Sequence, residues 1–129
     1  MRSLLSVVLG YVVMLVAVLA SEVALTALGS AKTRPDTLYF VFNLATEFFF
    51  LMIGGYVTAL LAGYAELEHA LGLAALSVTM CIVSMVKYAG DQPLWYSIAL
   101  MVLSIPGALI GGYYRWLEMK VGRESVLAD

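Results

Sequence analysis

The chain has 129 residues, 63% of them hydrophobic and only 12% charged, with a formal net charge of -2. Soluble domains run about 45–50% apolar and about 25% charged, so this composition excludes an ordinary water-soluble domain. Its seven Lys and Arg are scattered and form no basic stripe for nucleic acid.

Residues 3–21, 48–65, 70–86 and 92–114 contain no charged side chain. A charge-free apolar stretch of about 17–25 residues is what a helix needs to cross a bilayer. The pattern therefore predicts four membrane helices in a single transmembrane domain, residues 1–129. The lipid bilayer is its first partner.

Helix 1 is predicted over 4–28. Arg2, a long apolar run and Val18-Leu19-Ala20 before Ser21 imitate a signal peptide. The apolar run continues through Val23-Ala24-Leu25, broken only by Glu22, which favours a membrane helix. Residues 29–36 form a polar turn closed by Pro35, which cannot continue a helix. Helix 2 is predicted over 37–63. Glu66 and Glu68 then make a short acidic connection, and helix 3 follows over 69–88. Residues 89–93 form the third turn, and helix 4 covers 94–117. The tail from Glu118 reads as a short polar segment, frayed at the membrane surface.

Short connections force neighbouring helices to run antiparallel, and an even number of spans puts both termini on one side. Arg2, Arg115, Lys120 and Arg123 lie on that side, against Lys32, Arg34 and Lys87 on the other. This balance points to cytoplasmic termini by the positive-inside rule. Tyr39, Trp95 and Tyr96 are expected in one interfacial belt, and Tyr113 and Trp116 near the other. Ile53-Gly54-Gly55-Tyr56 recurs as Ile110-Gly111-Gly112-Tyr113. Two parallel copies of one helical hairpin would explain this, as in some transporters. Chance recurrence of common membrane residues is the competing reading.

In lipid, helices associate through small residues that let backbones approach. Gly55, Ala59 and Gly63 on helix 2, and Gly107 and Gly111 on helix 4, mark such faces. They serve either packing inside the bundle or a homodimer seam. Pro106 is expected to kink helix 4 and free the Val102 carbonyl, with Ser104 near enough to re-satisfy the backbone.

Glu22 and Glu47 are the sharpest chemical signals. Glu22 lies roughly 9–10 Å inside the end of helix 1, and Glu47 roughly 14 Å inside the same surface on helix 2. Asn43, Glu47, Gly54 and Thr58 share one stripe, expected to face protein or water. A carboxylate at such depth takes up a proton or finds a cation. Lys87, Lys32 and Arg34 are the nearby cations, and Ser104 is the repeat counterpart of Glu47. The functional reading is a proton- or cation-binding pair. The structural reading is a hydrogen bond or ion pair that locks the bundle.

His69, the sole histidine, opens helix 3. A histidine can ligate a haem or pigment metal, but no attachment motif or second histidine accompanies it. The methionines read as core filler. Neither a Cys/His metal cluster nor a phosphate-binding glycine loop is present, and no nucleophile–His–carboxylate set exists. The expectation is therefore no catalytic residue, no metal, no cofactor and no enzyme.

Residues 50–62 (Phe50 to Ala62), His69-Ala70-Leu71-Gly72-Leu73, Gln92-Pro93-Leu94-Trp95-Tyr96 and Pro106-Gly107-Ala108-Leu109-Ile110-Gly111-Gly112 resemble a group of short bacterial four-span proteins of unassigned function. The resemblance covers helices 2–4. It implies four helices in a bacterial inner membrane and supplies no activity. That group usually carries basic residues in the second connection, where this chain has Glu66 and Glu68. The leading expectation is a non-catalytic membrane subunit that packs against a larger complex or itself. The alternative is a small proton- or cation-coupled transporter using Glu22 and Glu47.

Overall fold

The computed structural model describes residues 2–27, 37–87, 90 and 92–128, without the side chains of residues 2, 3 and 25. It is all-helical over these residues: α1 (Arg2–Ala27), α2 (Thr37–Ala62), α3 (Glu66–Lys87) and α4 (Leu94–Ala128). All four helices are long and apolar enough to cross a membrane. The expected turn at 29–36, with Lys32, Arg34 and Pro35, lies outside the described residues.

Interhelical contacts give the directions. Gly10 of α1 meets Gly54 and Thr58 of α2, while Gly54 meets Met14, so α1 and α2 are antiparallel. Gly107 meets Phe48 and Leu51, and Gly111 meets Met52 and Tyr56, so α2 and α4 run parallel. Gly112 of α4 rests on Ala70 of α3. α4 makes its most extensive contact with α2 and its second with α3. α1 packs on α2 and α3, and among the described residues its backbone stays clear of that of α4. The bundle is thus a rhombus, with α2 and α3 across its short diagonal. Two equivalent hairpins would make the α1–α4 contact match the α2–α3 contact. Only the second exists, so the packing does not follow the sequence repeat.

The core is small, and much of the outer surface is apolar. Leu73, Ala74 and Ala108 are fully buried, with Val7 and Tyr11 packed against them. Leu4, Val16, Val23, Leu38 and Val86 are all more than 60% exposed. In water such a surface would aggregate, whereas lipid tails are as apolar as these side chains.

Two boundaries differ from the sequence expectation. α3 begins at Glu66 rather than 69. Gly63 (φ 68°) and Ala65 (φ 47°) end α2 in left-handed conformation. The Ala65 carbonyl then accepts the amides of Glu68 and His69. The two glutamates fill the first turn of α3, where the helix dipole favours negative charge. α4 continues to Ala128, past the expected end at 117. Leu117-Glu118-Met119-Lys120 are strong helix formers, and polarity had disguised them as tail. Its 35 residues span about 52 Å, well beyond a hydrocarbon core of about 30 Å.

Candidate functional site

Toward the α3–α4 connection the four helices part around a cavity of about 260 Å³. Each helix contributes one stripe. Tyr11, Met14 and Val18 come from α1, and Glu47 and Leu51 from α2. Ser77, Cys81 and Ser84 come from α3. Gln92, just before α4, is followed at four-residue intervals by Tyr96, Leu100 and Ser104. These spacings of three and four are those of one helix face.

Among the described residues Glu47 is the only acidic group on the wall, and no Lys, Arg or His lines it. Its partner is Tyr96, whose hydroxyl donates to Glu47 Oε1 at a long 3.4 Å. Tyr96 is 2% exposed. Its ring is held by Phe40, with centroids 5.0 Å apart, and by Trp95 at 6.1 Å. The interfacial assignment of Tyr96 is therefore corrected. Trp95 and Tyr39 stay on the outside, while Tyr96 turns inward and delivers a phenol to the carboxyl group.

Ser77 is also buried, at 5% exposure, and its Oγ has no hydrogen-bond partner. Ser104, 1% exposed, donates to the Leu100 carbonyl at 2.7 Å. It does not serve the Val102 carbonyl that Pro106 frees. A helical serine reaches most easily one turn back along its own helix.

The expected pairing of the two glutamates does not occur. Glu22 is exposed and does not line the cavity. The inward stripe of α1 runs through Tyr11, Met14 and Val18 to half-buried Ser21, one position short of Glu22. Lys87 is exposed in the last turn of α3 and is also off the wall. Asn43 is half-buried but does not line the cavity. Thr58 is fully buried, about 16 Å along α2 from Glu47. Its hydroxyl points at Gly10, where a methyl group would overlap it, and it has no hydrogen-bond partner. The Asn43–Glu47–Gly54–Thr58 stripe is real as a line on α2, but it does not make one site.

His69 is 5% exposed and its Nδ1 donates to the Ala65 carbonyl at 2.9 Å. The Tyr64 ring meets it edge-on at 5.2 Å. It sits at the opposite end of α3 from the cavity, where it secures the helix start. Among the described residues no group of three His, Cys, Asp or Glu side chains could hold a metal.

The small residues divide into two kinds. A methyl group at Gly55 would run into the Ala108 backbone, and one at Gly111 into the Met52 carbonyl. At Gly107 it would sit 3.2 Å from Leu51 Cβ. Ala59 is fully buried. Gly63 is different: nothing lies within 4 Å of its place for a methyl group. Its role is the left-handed cap of α2, with its amide donating to the Ala59 carbonyl.

Sequence reasoning missed Tyr96, Ser77 and Tyr11 as wall residues. The Gln92-Tyr96-Leu100-Ser104 spacing and the Ser77-Cys81-Ser84 spacing were the available signals. No protein-family model, curated protein or solved structure matches the chain.

Proposed function

We propose that this protein is a small multi-pass carrier in which Glu47 binds a cation, or a proton in exchange for one, inside the bundle. The observation that carries this reading is the cavity, on whose wall the described residues place one carboxyl group and no basic side chain. A sealed and saturated Glu47 would favour a purely structural role. Instead it faces open volume, and its hydrogen bond with Tyr96 is long. Glu22 takes no part in this version. The bearing membrane is a bacterial inner membrane, in keeping with the four-span resemblance. Both termini face the cytoplasm, from the distribution of Lys and Arg.

The test uses the full chain reconstituted into liposomes with a trapped pH-sensitive dye. An imposed gradient of a monovalent cation, with sodium, potassium and a small organic ammonium ion each tried in turn, should drive proton movement above that of empty liposomes for at least one of them. Glu47→Gln should abolish the difference while the protein still purifies folded. Equal flux for the variant and the parent, or none for the parent, overturns the carrier.

A second reading keeps one observation in its favour. The last turns of α4 project beyond the apolar stretch and expose Val121, Val126 and Leu127. That handle suits an accessory subunit docked on another membrane protein, or on a second copy. Co-purification in gentle detergent, with and without residues 119–129, tests it.

A further inference from the structure

The cavity has a chemical character that narrows its ligand. Alkali and alkaline-earth ions are held by several hard oxygens, six to eight for calcium. The described residues of this wall offer one carboxylate and scattered hydroxyls, and six of the fourteen are Met, Leu or Val. It is built for hydrocarbon with a single positive charge. Its size agrees, since an apolar cavity of about 150 Å³ holds benzene and this one is about 260 Å³.

We propose that the cavity binds an amphiphilic primary amine about the size of benzylamine, its ammonium group between Glu47, Tyr96 and Ser77. This rests on the carrier reading and names its substrate class. The ammonium group has three N–H donors. Glu47 accepts one and supplies the countercharge. The buried Ser77 Oγ, which has no hydrogen-bond partner among the described residues, accepts another. A protein rarely leaves such a group unsatisfied, because a buried hydroxyl without a hydrogen bond has given up water and gained nothing in its place. The Tyr11 and Tyr96 rings add aromatic faces that attract a cation. Met14, Met80 and Leu100 surround the hydrocarbon part, and the flexible methionines suit ligands of variable shape. A carboxylate ligand would meet repulsion from Glu47. A neutral isostere would leave its charge without a partner.

Cys81, the single cysteine, lies on the wall and provides a reporter in the unaltered chain. Benzylammonium should slow its alkylation by N-ethylmaleimide in detergent-solubilised full-length protein. Benzyl alcohol, nearly the same shape without the charge, should need at least a tenfold higher concentration for equal protection. Glu47→Gln should raise the benzylammonium concentration required at least tenfold, and Ser77→Ala severalfold. Equal protection by the amine and the alcohol overturns the proposal, as does an unchanged Glu47→Gln. If Glu47→Gln fails to fold, the amine–alcohol comparison on the parent decides alone. No protection by benzylammonium, with Glu47-dependent proton flux intact, overturns the amine and leaves the carrier standing. No protection and no flux overturns both.

Discussion

Among the described residues two buried hydroxyls, Thr58 and Ser77, lack hydrogen-bond partners, and their surroundings give them opposite meanings. Thr58 is sealed at the α1–α2 contact, wedged on Gly10. Valine has almost the same shape without the unsatisfied oxygen. Thr58→Val should therefore stabilise the protein by about 1 kcal/mol, measured by reversible unfolding in mixed micelles. It should also leave any Glu47-dependent flux unchanged. Loss of flux would restore Thr58 to the site. Ser77 sits on the cavity, so Ser77→Ala should alter ligand binding more than stability. Tyr96→Phe removes the hydrogen bond that the phenol donates to Glu47 while keeping the ring against Phe40. Folding should survive it, and the cation affinity of the site should change. Unfolding of this variant would mean that the phenol is a structural clamp.

At the scale of elements, the α2–α4 seam holds the bundle together. Gly55 and Gly111 bring each backbone onto the other, so a leucine at either forces the helices apart. Gly111→Leu should cost about 3 kcal/mol, read as loss of the folded fraction in detergent. Gly63 has the same residue type and the same four-residue spacing but a different job. Gly63→Ala should cost only about 1 kcal/mol, the strain of a left-handed conformation with a Cβ. A Gly63 variant as damaging as Gly111→Leu would show that the cap is a packing surface. Spacing alone could not separate these roles. Gly63 falls where the chain leaves the helix, and backbone conformation there outweighs helical periodicity. The beginning of α3 has a similar cause. Glu66 and Glu68 look like loop residues by polarity, yet they lie in a helical first turn whose dipole favours their charge.

For the whole molecule, four helices joined in antiparallel succession bring the two ends of the chain to the same face. Single cysteines introduced at Ser3 and Ser125, with Cys81 replaced, should label from the same side of the membrane. Labelling from opposite sides would overturn the topology. The rhombic arrangement leaves α1 least enclosed, flanked by α2 and α3 alone. Its neighbours close on it at Gly10 and where Gly54 meets Met14, and open from it toward Val18. This difference along one helix makes the cavity.

The sequence by itself determined the four spans, because hydrocarbon tolerates a backbone only when its polar groups are bonded within a helix or a closed barrel. It also determined the depth of Glu47, because helix rise is constant. The partner of that carboxyl group was decided by tertiary structure. Glu22 and Lys87 stand at suitable depths but miss the wall, whereas Tyr96, apparently an interfacial aromatic, reaches it. Depth is a one-dimensional property read from counting residues. Facing depends on the rotation of each helix about its axis, and close approach at Gly10, Gly55 and Gly111 sets that rotation for the bundle.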